Sequence, residues 1–173
     1  MTRRRLARIA GGLLGSFLFA SLCAANEELA AKSRPAQRTD VLGNWQMTYQ
    51  VVSPKVQDDS LFFAEHQVWS FSADGSVRNI ASTKPQRISE IMALFKTMPQ
   101  QTTFQFAKDG VLFIQRSQAD RDVIIVSFVT EDLSAALRAG APLLKKGELI
   151  LSYLGAAQQP SMQRYLTPLA ASD

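Results

Sequence analysis

The chain of 173 residues has very little of the side-chain chemistry on which many enzymes depend. It contains one cysteine, Cys23, and one histidine, His66. A serine-histidine-acid triad would need His66, and no serine stands in the G-x-S-x-G turn that presents many nucleophiles. Glycine-rich phosphate loops and dinucleotide-binding motifs are also missing. The sequence therefore predicts a protein that is not an enzyme, although a carboxylate pair from distant positions stays open.

Metal ligands are equally scarce. The acidic pairs Asp58-Asp59 and Asp120-Asp122 lack the ligand spacing and the glycine of a calcium loop. The five methionines form no M-x-x-M pair that would suit copper. No metal and no cofactor is expected.

A surplus of positive charge is missing outside the N-terminus. Of the 19 basic residues, Arg3, Arg4, Arg5 and Arg8 lie in the first 25 residues, which contain no acid. The rest of the chain carries 15 basic and 15 acidic residues. Binding to nucleic acid needs cations in excess to contact phosphates, so no nucleic-acid partner is expected.

Residues 1–25 have the three parts of a secretory signal peptide: a basic start, an apolar run and small residues before a cleavage site. Cys23 and Ala25 are the small residues, which places cleavage before Asn26. The uncharged stretch 9–25 is shorter than the roughly 20 residues of a membrane-spanning helix. We expect export to the periplasm, by the general or the twin-arginine route, with no stable membrane anchor after cleavage. Since cleavage removes Cys23, the mature chain has no disulfide.

Residues 26–40 are polar and contain one proline, which predicts a flexible linker, and 170–173 are expected to form a short tail. From residue 41 the pattern becomes that of strands. Residues 43–51 alternate, with Trp45, Met47, Tyr49 and Val51 predicted to share one face. Further strands are predicted at 61–72, 77–83, 102–107, 111–115, 122–130, 148–154 and 161–167.

Two Asp-Gly pairs, at 74–75 and 109–110, each lie between extended runs and predict hairpin turns. Residues 88–98 instead place Ile88, Ile91, Met92 and Phe95 on one helix face. Residues 131–140 predict a second, short helix that ends at Gly140. About eight sequential strands with short turns favour an antiparallel β-barrel with one amphipathic and one short helix.

The segment Leu42-Gly43-Asn44-Trp45 carries a G-x-W sequence at the start of the first strand. Together with the hairpin at 69–77 and the terminal strand pair at 147–153 and 164–166, it resembles the bacterial lipocalin-like domains over residues 41–169. The resemblance implies a barrel that binds a small apolar molecule. It also implies that Trp45 packs under an arginine of the last strand, a role that Arg164 can fill.

Aromatic and apolar side chains on the predicted strand faces are the candidates for lining a ligand pocket. They are Trp45, Met47, Tyr49, Trp69, Phe71, Phe104, Phe106 and Phe113. The leading hypothesis is an exported, non-enzymatic protein that binds a small apolar ligand in its barrel. Two alternatives stay open: a periplasmic module with a filled barrel that binds another protein, and an enzyme that uses His66 or a carboxylate pair.

Overall fold

The computed structural model describes residues 25–53, 63–99, 102–118, 120–154 and 160–169. The predicted signal peptide, apart from Ala25, and the predicted tail lie outside these ranges. So does the acidic pair Asp58-Asp59.

The described residues form mainly strands. In chain order, the elements are the helical residues 25–32 (α1), β1 (Ser33–Pro35), α2 (Arg38–Val41), β2 (Gly43–Val52), β3 (His66–Phe71), β4 (Val77–Ser82), α3 (Ile88–Thr97), β5 (Thr103–Phe106), β6 (Val111–Gln115), β7 (Arg121–Val129), β8 (Leu149–Leu154) and β9 (Pro160–Pro168). A 3-10 turn, Lys108–Gly110, joins β5 to β6. The predicted fold class is confirmed, as is the amphipathic helix α3.

Eight strands form one antiparallel sheet in the order β4-β3-β2-β9-β8-β7-β6-β5. The sheet curls until its two edge strands meet, where Ser76 and Thr103 form an antiparallel bridge. Backbone hydrogen bonds from Val77 N–H to Thr102 O (3.1 Å) and from Phe104 N–H to Gly75 O (2.7 Å) flank this bridge. The barrel is therefore nearly closed, with a seam between β4 and β5.

Both predicted Asp-Gly turns are confirmed. Gly75 has a φ of +88° between β3 and β4. Asp109 and Gly110 both have positive φ, +58° and +74°, between β5 and β6. Glycine adopts such left-handed conformations without strain, and aspartate adopts them more often than most other residues do. Both Asp-Gly pairs are therefore suited to tight turns.

The first strand differs from the predicted alternation. The pairing of β2 with β9 shifts register between Met47 and Tyr49, which marks a β-bulge. A bulge inserts one residue, so every later side chain changes face. Trp45 and Met47 point into the barrel, but Tyr49 lies on the outer face, where its ring packs 5.3 Å from that of Tyr165.

The N-terminal segment also differs from the flexible linker that its polarity predicted. Ser33 to Pro35 pair with Val129 to Ser127 of β7. Glu28 accepts hydrogen bonds from Lys32 Nζ and from the Ser134 backbone, both at 2.8 Å. This segment is held in place by its pairing with β7 and by hydrogen bonds to residues far away in sequence. Neither kind of contact can be predicted from amino-acid composition alone.

No helix forms at 131–140, so the short helix predicted there is wrong. The segment is an irregular loop in which Leu133 N–H donates to Leu144 O at 3.0 Å. The Asp132 carboxylate accepts the Lys146 N–H at 2.9 Å. Leu133, Leu137 and Leu144 pack on the outer face of the barrel, and this tertiary packing overrides local helix propensity.

Candidate functional site

One end of the barrel interior is filled with apolar side chains. Trp45 is 4% exposed and donates its Nε1–H to Val41 O at 2.8 Å. The Phe71 ring stacks on the Trp69 ring, with centroids 6.0 Å apart. It also contacts the Phe104 ring edge to face, with centroids 5.4 Å apart. These side chains pack closely against one another at that end.

The eight candidate lining residues thus occupy different places. Trp45, Met47, Phe71 and Phe104 are buried in the core, and Phe106 packs against it. Phe113 lies on the outer face with Tyr49, since its neighbours Leu112 and Ile114 point inward; the Arg121 guanidinium lies 3.8 Å from its ring centroid. Of the eight, Trp69 lines the cleft at the barrel seam that is described below.

The interior also contains a fully buried arginine. Arg164 Nη1 donates to the Tyr153 hydroxyl at 2.8 Å, and its guanidinium carbon lies 5.0 Å and 5.6 Å from the Tyr153 and Trp69 ring centroids. Burial lowers the pKa of Arg164 and raises that of Tyr153, and their mutual attraction opposes both shifts.

The aromatic partners of this arginine are therefore Tyr153 and Trp69, where the lipocalin resemblance implied Trp45. Trp45 is buried as expected, and the first strand of the barrel pairs with the last. The register, however, places Trp45 opposite Pro168 and Arg164 opposite Gln50. Four residues of strand separate these positions, or about 13 Å at roughly 3.3 Å per residue.

A cleft of about 250 Å³ opens at the seam of the barrel. Its walls come from β3, β4, β6 and the residues on either side of the α3–β5 connection. The lining residues are Trp69, Val77, Arg78, Asn79, Met98, Pro99, Thr102, Ile114 and Arg116. The cleft lies where the two edge strands separate. Beyond Val77, no backbone hydrogen bond joins β4 to β5 among the described residues.

Two residues that line this cleft each carry a buried donor atom. The Nε1 atom of Trp69 and the Nε atom of Arg78 are both shielded from solvent and have no hydrogen-bond acceptor among the described residues. Buried N–H groups in folded proteins nearly always have an acceptor, so each of these requires an explanation. The neighbouring Asn79 amide donates to Val68 O at 3.2 Å.

An ion-pair cluster stands at the rim. Arg116 forms salt bridges with Asp120, at 3.2 Å, and with Asp122. Burial raises the pKa of Asp122, although Arg116 opposes that shift. Burial acts to lower the pKa of Arg116, but the two carboxylates together raise it above its ordinary value. Much of the positive charge of Arg116 is therefore neutralised within the protein.

The residues considered for catalysis or metal binding do not meet at the cleft. His66 lines a separate space of about 50 Å³ beneath the start of α3. Asp120 and Asp122 form the salt bridges at the rim, and Asp132 also contacts Lys145 Nζ at 3.2 Å. Within the described ranges, no three His, Cys, Asp or Glu side chains come together as metal ligands.

Sequence reasoning missed Arg78, Asn79 and Arg116. None belongs to a motif, and their common position depends on the closure of the barrel between β4 and β5. The alternation of β4 gave one usable signal, because Val77 and Asn79 share a face and Asn79 is polar.

No family model, curated protein or solved structure matches this chain. Among the described helices, none has both the length and the apolar character needed to cross a membrane.

Proposed function

We propose that this is an exported, non-enzymatic protein that binds a small organic molecule in the cleft between β4 and the β5–β6 hairpin. The observation that carries the proposal is the cleft itself, a space of about 250 Å³ at the seam between β4 and β5. At about 30 Å³ per water, it has room for roughly eight water molecules. A ligand that fills this volume is smaller than a typical drug molecule.

The lining of the cleft supports binding more than catalysis. Val77, Met98 and Ile114 supply apolar surface, and the Trp69 ring adds an aromatic wall. A few polar groups among apolar ones are typical of small-molecule sites. Thr102 brings the one hydroxyl among the described lining residues, and no carboxylate or imidazole lies beside it there. These features support the binding of a small molecule.

The barrel architecture also agrees with the lipocalin-like resemblance, which stays a prediction. The alternative of a protein-interaction module would need a contiguous apolar surface. The described chain exposes two large apolar side chains, Leu94 and Leu143, on different elements. The cleft therefore supports ligand binding better than the surface supports docking.

Export rests on the sequence of residues 1–25. Cleavage before Asn26 would remove Ala25 but keep Glu28 and Lys32, whose contacts attach α1 to the barrel. N-terminal sequencing of the protein from its own cells is expected to give Asn26 as the first residue. An uncut or lipidated chain would contradict export as a soluble periplasmic protein.

Native mass spectrometry of the protein isolated from its own cells tests ligand binding. The spectrum is expected to contain a species with a small added mass, which disappears on denaturation. Met98→Trp places a large ring at the cleft and is expected to abolish that species. Met98→Leu, which conserves volume, is the matched control and is expected to keep it.

Both variants are first checked for cooperative thermal unfolding, because Met98 also packs against the Val68 and Ile91 cluster. Absence of the added mass from the wild-type protein would overturn the proposal. Equal retention by Met98→Trp would place the ligand elsewhere.

A further inference from the structure

The chemistry of the cleft points to one class of ligand, an inference that rests on the proposed function. The Trp69 Nε1 and Arg78 Nε atoms have no acceptor among the described residues, but both are shielded from solvent and so do not face the open space of the cleft. Arg78 itself lines the cleft and is partly exposed, so its guanidinium is a charged group that a ligand in the cleft can contact.

The distribution of charge favours an anion over a neutral acceptor. Arg116 is paired with Asp120 and Asp122. Arg78 has no carboxylate within 4.0 Å among the described residues, although it is only partly exposed. A half-buried guanidinium without a counter-ion attracts anions, and its fork suits a planar carboxylate.

The rest of the cleft surface favours a ligand that also has an apolar part. Val77, Met98, Pro99 and Ile114 surround the polar groups, together with the face of Trp69. An inorganic anion would leave this apolar surface in contact with water, whereas an organic acid buries it.

We propose that the cleft binds a small organic carboxylate that pairs with the Arg78 guanidinium, while its apolar part packs on Ile114 and Met98. The carboxylate then supplies the counter-ion that Arg78 lacks among the described residues. Neutral molecules of the same shape fit the space but lose the charged interaction with Arg78.

The two tryptophans of the chain make a direct test possible, because each gives one indole N–H signal in a ¹⁵N–¹H spectrum. Trp69 reports on the cleft. Trp45, whose indole already donates to Val41 O at 2.8 Å, is an internal control. Benzoate, its neutral analogue benzamide and inorganic phosphate are titrated separately at constant ionic strength.

Benzoate is expected to shift the Trp69 signal saturably and to leave the Trp45 signal in place. Benzamide is expected to bind about tenfold more weakly, the ratio that corresponds to the loss of one charged hydrogen bond. Arg78→Leu is expected to remove the preference for benzoate. Arg87→Leu, which makes the same charge change at an exposed position outside the cleft, is expected to preserve it.

Arg78→Lys keeps the charge but not the planar fork, and it is expected to weaken benzoate binding less than Arg78→Leu does. An unmoved Trp45 signal shows that each variant is folded. Equal affinity for benzoate and benzamide would overturn the carboxylate and leave the proposed function standing. Phosphate binding as tight as benzoate would show an anion site that needs no apolar body. If no probe shifts Trp69, the carboxylate is refuted, and the native mass spectra decide the proposed function separately.

Discussion

Replacement of Gly110 by alanine tests how closely the N-terminal segment is packed on the barrel. Gly110 has a φ of +74°, and a Cβ built there would lie 2.4 Å from the Val126 carbonyl oxygen and 3.3 Å from the Ala36 nitrogen. These two atoms are joined by a 2.9 Å hydrogen bond that follows β1 along β7. The new methyl group would therefore clash with two backbone atoms, and backbone atoms have less freedom to move than a side chain.

Two effects add in this variant. A left-handed conformation costs alanine about 1–2 kcal/mol. Displacement of the Val126 carbonyl from Ala36 loses a hydrogen bond with a net value of about 0.5–1.5 kcal/mol. We expect Gly110→Ala to lower the free energy of unfolding by about 3 kcal/mol, measured by urea denaturation. The corresponding fall in melting temperature is roughly 9 °C for a chain of this size.

Gly140→Ala is the matched control. Gly140 has a similar φ of +78°, but no heavy atom lies within 4 Å of its Cβ position. It is expected to show only the conformational part, about 1–2 kcal/mol. Equal losses of stability in the two variants would refute the close approach of β1 and β7 at Gly110.

Two further predictions concern the charged groups. A double-mutant cycle of Arg164→Met and Tyr153→Phe is expected to give a coupling of about 1.5–3 kcal/mol in urea unfolding, because it isolates the buried charged hydrogen bond; no coupling would contradict that bond. Hydrogen bonds from Lys32 and Ser134 lower the pKa of Glu28 from 4.5 to about 2, so its stabilising effect is present above pH 4.5 and is lost as the pH falls through 2. Glu28→Gln should therefore lower the melting temperature at pH 6 and have little effect near pH 2, and an equal loss at both values would contradict this ion pair.

The barrel could be predicted from sequence because its signals are local. Alternating apolar residues mark the strands, and the Asp-Gly pairs at 74–75 and 109–110 mark two turns where the backbone needs positive φ. The helical face at 88–98 is local as well, and α3 packs that face against Val68 through Ile91 and Phe95. In each case the residues that define an element are the ones that stabilise it.

The predictions that were wrong concern places where contacts between segments distant in sequence determine the local structure. The bulge after Met47 belongs to the pairing of β2 with β9, about 115 residues along the chain, and leaves no trace in the alternation of 43–51. The loop at 131–140 has the composition of a helix, but Asp132 and Leu133 bond to residues 144–146. Arg78 and Arg116 become neighbours only when the barrel closes.

The presence of a ligand in the cleft is tested most directly by comparing the indole spectrum of the protein isolated from its own cells with that of the same protein after denaturation, dialysis and refolding. Denaturation followed by dialysis removes a bound small molecule, so we expect a changed Trp69 signal and an unchanged Trp45 signal. Superimposable Trp69 signals before and after refolding would contradict the claim that this cleft holds a ligand.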